Sequence, residues 1–212
     1  GLSALRNVRS KDEAEALYQQ GLIFYEAENY EKALECFLSA VEQDYANAQL
    51  ALGDMYKFGR GVKQDFEHAL AWCRRAAEQG HLDAQYRLGC TYDRHIYSRY
   101  SGDGLYLLEM TDSTDHEFCD DDLAFFWYSK AADQGHSVAQ LNLGDAYYWG
   151  HGVKQNYELS VYWYSKSAKQ GHDYAQIHLG ERFSSGEGVE QDEKQAFYWY
   201  TKAAEQIGRA HV

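Results

Sequence analysis

Apolar residues recur along this chain at i, i+1, i+3, i+4, i+7 and i+8, the stripe of an amphipathic helix. Ala196, Phe197, Trp199, Tyr200, Ala203 and Ala204 show it most plainly and are predicted to be buried. The stripe returns with a fixed period. Trp127, Trp163 and Trp199 stand 36 residues apart, and Trp72 precedes Trp127 by 55, which is 36 plus an insertion of 19. Each period reads as two helices. The first carries a Leu-Gly pair: Leu52-Gly53, Leu88-Gly89, Leu143-Gly144 or Leu179-Gly180. It stops at Gly59-Arg60-Gly61-Val62, Gly150-His151-Gly152-Val153 or Gly186-Glu187-Gly188-Val189, because glycine accepts a positive φ at little cost. The second helix follows with its small Ala pair, which lets a neighbour approach closely. It ends at Gln79-Gly80-His81, Gln134-Gly135-His136 or Gln170-Gly171-His172.

This pattern resembles the Sel-one-like (Sel1-like) repeat family, over residues from about Asp12 to Gln206. A leading unit with Leu17, Gly21, Phe24, Ala33, Phe37 and Ala40 resembles a tetratricopeptide repeat. Two units depart from the pattern. The second has an insertion where Gly-x-Gly-Val is expected, and the fourth ends in Gln206-Ile207-Gly208. The resemblance implies an all-α, right-handed α-solenoid of about five antiparallel helix pairs. The expected divisions are an N-terminal extension over 1–11, a tetratricopeptide-like unit over 12–45, and Sel-one-like repeats over 46–81, 82–136, 137–172 and 173–212. The insertion falls at about 95–119. No polar capping helix follows Gln206, so either the native chain continues or the last helix meets something, and the end face is a candidate for self-association.

Charge narrows the choice of partner. The 212 residues hold 20 Lys plus Arg against 33 Asp plus Glu, a net −13, which repels a phosphate backbone and excludes nucleic acid. No apolar run reaches membrane-spanning length. Both cytoplasmic residence and export after signal removal stay open. Cys36, Cys73, Cys90 and Cys119 form no CxxC pair and read as thiols, with a Cys73–Cys90 bridge as the alternative.

Catalytic patterns are missing. There is no Gly-x-Ser-x-Gly, phosphate loop or His-Glu-x-x-His, so the chain reads as non-enzymatic, with no cofactor and no metal. His81, His136 and His172 occupy matching turns and read as turn and capping residues. The insertion gathers Asp112, Asp115, His116, Glu117, Cys119 and Asp120 to Asp122; the spacing matches no calcium loop, and zinc has only the lone HxxC of His116 and Cys119. The last three aspartates suit a helix N-terminus.

In tetratricopeptide-like stacks the first helix of each pair lines the concave face. Counting from the Gly of each first helix places Tyr18, Tyr25, Asp54, Lys57, Tyr86 and Asp93 there, followed by Asp145, Tyr148, Trp149 and Tyr174. The expected groove is aromatic and acidic, fit for a protein or peptide with a basic segment. It lacks the Lys, Arg and Asn clamp of chaperone-tail binders. Tyr97, Tyr100, Tyr106 and Leu108 give the insertion its own contact surface. Phe126, Tyr162 and Tyr198 form a further aromatic column, read as a ladder on the convex side. The expected function is a non-catalytic interaction scaffold or adaptor; the resemblance extends this to bacterial regulatory or effector-immunity proteins. The alternatives are a metal-dependent enzyme using the acidic insertion and a self-assembling repeat protein.

Overall fold

A computed structural model describes residues 2–95 and 119–210; for 2–10 and 207–210 it describes the backbone alone. The described residues form ten α-helices and no strand. In chain order these are α1 (Leu2–Glu26), α2 (Tyr30–Val41), α3 (Ala46–Phe58), α4 (Phe66–Glu78) and α5 (Leu82–Tyr92). They continue with α6 (Asp121–Asp133), α7 (Ser137–Trp149), α8 (Tyr157–Lys169), α9 (Asp173–Ser185) and α10 (Glu193–Ala210). The class is the all-α helical-repeat solenoid. The helices fall into two compact units. The described residues up to Thr91 form the first, and those from Tyr92 onward the second.

Second helices start with an Asx cap. The side chains of Asp65, Asp120 and Asn156 each accept from the backbone N–H three residues on, at 3.0 Å, and Asp192 accepts from Gln195 at 3.1 Å. Such a cap satisfies a donor that the helix leaves open. The turn after the second helix explains the Gln-Gly-His motif. The His81 N–H reaches back to the Ala76 carbonyl at 3.1 Å, and that of His136 to Ala131 at 3.1 Å. A buried glutamine then stitches the next first helix to this turn. Gln85, Gln140 and Gln176 each donate to the carbonyl eight residues earlier, Ala77, Ala132 or Ala168, at 3.1 Å. Gln79 and Gln170 extend the chain to the Gln49 and Gln140 side chains at 2.8 and 2.7 Å. Buried polar groups are tolerated because they are bonded in this way.

The Leu-Gly pairs work by close approach. A methyl group on Gly144 would strike the Tyr164 ring, and one on Gly180 would strike Tyr200. The core of the first unit is built on Ala14, Phe37, Leu52 and Met55, and that of the second includes Leu141, Leu143, Leu179 and Tyr164.

One expectation needs correction. In α10, Ala196 and Ala203 are buried, but Tyr200 and Ala204 are exposed, Trp199 is half-buried, and Phe197 is 72% exposed. The equivalent Tyr128 and Tyr164 are buried, because α7 and α9 pack against α6 and α8. α9 of its own repeat packs against α10, but among the described residues no following helix covers the other side of α10. The four cysteines form no disulfide. The Cys73 thiol points at the Ala84 carbonyl, 3.5 Å away, and burial pushes its pKa up to about 12, so it is an inert core group.

Candidate partner-binding surface

The first unit contains a cavity of about 300 Å³. Tyr18, Leu22 and Tyr25 of α1 form one wall, over Phe37. Asn47, Leu50, Ala51 and Asp54 of α3 form another, and His81, Asp83 and Arg87 at the start of α5 close it. Arg87 donates to the Asp54 carboxylate at 2.5 Å, with both side chains about one quarter exposed. His81 is fixed at both nitrogens: Nδ1 accepts the Ala84 N–H at 3.3 Å, and Nε2 faces Asn47 Oδ1 at 2.7 Å. That arrangement makes His81 the N-cap of α5 in its neutral Nε2–H form. Tyr25 is shared with the Arg60 guanidinium, which donates to its hydroxyl and lies near the Tyr25, Tyr30 and Phe58 rings.

The second unit presents a different surface. Trp149, at the end of α7, is 60% exposed and meets Tyr148 edge-on at 4.7 Å. Tyr148 carries the Arg182 guanidinium 4.1 Å above its ring and donates to Glu187 at 3.3 Å. Tyr174 is exposed at the start of α9. On the second helices, Phe126, Tyr162 and Tyr198 are exposed; each stands edge-on to the neighbouring Trp with a lysine over its ring.

Of the expected groove residues, Tyr18, Tyr25 and Asp54 line the cavity, and Tyr148, Trp149 and Tyr174 reach the surface of the second unit. Four are corrected. Lys57, Tyr86, Asp93 and Asp145 are buried, so their side chains belong to the stack rather than to a contact surface. Asp145 accepts the Tyr164 hydroxyl at 2.6 Å, Asp93 accepts that of Tyr128 at 3.1 Å, and the Lys57 ammonium lies 4.8 Å from the Phe58 ring centre. Tyr97, Tyr100, Tyr106 and Leu108 lie outside the described residues. So do Asp112, Asp115, His116 and Glu117. Among the described residues no group of three His, Cys, Asp or Glu side chains is placed to hold a metal ion. Position counting missed Arg87 and His81 as cavity walls. The signal was present in Arg87, a cation on the face that also carries Asp83 one turn earlier.

Two of the three turn histidines cap helices, His136 through Nδ1 to the Ala139 N–H at 3.2 Å and His81 as above; His172 makes no such bond. Burial lowers the pKa of His81 and of His172, so folding favours the neutral form. Their stabilisation is complete above the unfolded value of about 6.5 and is lost as pH falls through the lower folded values. The urea midpoint is therefore expected to hold between about pH 7 and 8 and to fall below about pH 6. His81→Asn keeps a capping oxygen without the titration and is expected to flatten part of that acid slope, whereas His81→Ala costs about 1 kcal/mol at neutral pH.

The repeat model for "Sel1 repeat" matches residues 14–45, 46–81, 82–105, 120–136, 137–172 and 173–207. This chain belongs to the Sel1-repeat family. An uncharacterized protein of Neisseria meningitidis serogroup B is 30% identical over 140 residues, covering 59% of this chain and 29% of that protein. A component of an ERAD-associated E3 ubiquitin-protein ligase, HRD3A of Arabidopsis thaliana, is 31% identical over 86 residues, covering 37% of this chain and 13% of HRD3A. The chain thus spans less than a third of the length of these relatives. Among solved structures, a protective antigen of uropathogenic Escherichia coli with an SLR fold aligns at a TM-score of 0.76 and 31% identity. The match covers 97% of this chain and 41% of that one. A Sel1-repeat protein of Oxalobacter formigenes aligns at 0.70 and 27% identity, covering 92% and 72%. Sel1-repeat solenoids are in general protein–protein interaction scaffolds, typically non-catalytic. No helix of the described residues is long and apolar enough to cross a membrane.

Proposed function

We propose that this chain is a non-catalytic adaptor that holds a basic segment of a partner protein on the first-helix faces of its repeats. The observation that carries the reading is aromatic surface that the stack itself does not cover, above all Trp149 with the exposed Tyr174. An aromatic ring of this kind supplies large contact area at low entropic cost, and interface energy concentrates on such residues. The net charge of −13, with the carboxylates Asp54 and Asp83 on first helices of the first unit and Glu187 in the loop after α9, favours a cationic partner and speeds its encounter. The likeness to HRD3A, a component of a ligase assembly, is consistent with an adaptor role.

The test begins with the intact chain as bait, followed by titration of the purified partner. Trp149→Ala and Tyr174→Ala replace exposed side chains and should leave the helical circular-dichroism signal unchanged. Trp149→Ala is expected to weaken the partner by at least about tenfold, the loss typical of a central aromatic anchor. A partner that binds both variants as tightly as the parent chain removes the first-helix face of the second unit from the reading.

A further inference from the structure

The adaptor reading leaves open what the cavity of the first unit is for. We infer that it receives one cationic side chain, a lysine or an arginine, from the bound partner; this rests on the proposed adaptor role and assigns that partner a particular anchor.

The volume, about 300 Å³, sits at the lower end of ligand-pocket sizes and suits a single anchoring side chain rather than a folded ligand. The walls divide by chemistry. Leu22 and Leu50 offer apolar surface for an alkyl stem, the part of Lys or Arg that packs against apolar groups while the head stays polar. Tyr18 and Tyr25 add rings, which attract a cation at their faces. Asp54 and Asp83 supply two negative charges, and Arg87 one positive. His81 is held neutral by its two bonds, so the lining carries a net charge of minus one.

The carboxylates are not spent. Arg87 occupies one oxygen of Asp54, and an ionised carboxylate accepts at both. Asp83 is exposed at the mouth. The Tyr18 phenol reports the sign of the local field: burial raises its pKa, and the charges of Glu15 and Asp54 raise it further. A neutral ring entering here would strip water from carboxylates without replacing it, and an anion would be repelled. A guanidinium or ammonium offsets that desolvation.

The molecule contains its own precedent. The Arg60 guanidinium rests 5.2 Å from the Tyr25 ring centre and 5.1 Å from that of Phe58, while donating to the Tyr25 hydroxyl. Tyr25, a lining ring, thus already binds a cation by ring contact and hydrogen bond, although Arg60 is not itself part of the lining.

The experiment uses the intact chain and four small probes: the Nα-acetyl N-methylamides of lysine, arginine, norleucine and glutamate. Each is titrated to about 10 mM against ¹⁵N-labelled protein, a range suited to a single weakly held side chain. The lysine or arginine probe is expected to shift the amides of Leu22, Asn47, Leu50 and Arg87 saturably, and norleucine to bind at least about tenfold more weakly. Asp83→Lys, at an exposed position that bears no structural bond, should abolish the shifts while leaving the rest of the spectrum unchanged. Equal binding of lysine and norleucine would overturn the inference in favour of a plain apolar cavity. Preference for the glutamate probe would overturn it in favour of an anion site at Arg87, and no saturable shift at these amides overturns it outright. A partner whose affinity drops with Trp149→Ala but not with Asp83→Lys would sink this anchor and leave the adaptor reading intact.

Discussion

Gly152→Ala is expected to lower the unfolding free energy by at least about 3 kcal/mol, measured by urea denaturation, because two penalties coincide. Gly152 sits at φ +64°, where an L side chain costs about 1–2 kcal/mol. A methyl group there would also overlap the Asp121 carbonyl oxygen, a backbone atom at the start of α6 that has nowhere to move. Gly135→Ala separates the two. Its φ of +96° is as restrictive, but nothing lies within 4 Å of the added carbon. It should cost only the backbone term, about 1–2 kcal/mol. Similar losses from the two variants would mean that the loop relaxes away from α6 and that the close approach is not a constraint.

Tyr164→Phe is expected to cost about 2–3 kcal/mol although it removes a single oxygen. The Tyr164 hydroxyl donates at 2.6 Å to Asp145, a carboxylate only 3% exposed. Losing a donor to a buried charge is costlier than losing a neutral pair, because the charge is left less solvated. Burial, then the Asp145 charge, raises the phenol's pKa well above its ordinary value, so the hydroxyl stays a donor through the alkaline range. Asp145→Asn combined with Tyr164→Phe should cost less than the two single losses added together. Strict additivity would show that the bond contributes nothing of its own.

These two sites show what was readable beforehand. The helix pairs were legible because the 36-residue recurrence of Trp, Ala-Ala and Gly reports packing that every repeat must repeat. The second glycine of Gly-x-Gly-Val was legible as a turn, but not as a contact with the preceding repeat, since that contact is through space. Asp145 was placed correctly on a first-helix face and wrongly in a groove. Counting along one helix cannot show that Tyr164, on the next helix, folds over the carboxylate. The second repeat makes the same point. Cys90 stands where Asp145 does, and Asp93, three residues further on, supplies the carboxylate for Tyr128 instead. Trp149 and Tyr174, placed by the same counting, do lie at the surface of the second unit. The cavity itself required α1, α3 and the start of α5 together, which no single helix announces.

The loop glycines also set an order of events during synthesis. Gly61 lies on Tyr30, Gly152 on Asp121 and Gly188 on Tyr157, 31 residues apart in each case. The starts of α2, α6 and α8 are therefore latched by residues translated 31 positions later. At ribosomal speeds of about 5–20 residues per second, a nascent repeat stays open at that end for roughly two to six seconds. Its apolar flank is exposed for that interval, which makes the newest repeat the segment that chaperones would meet.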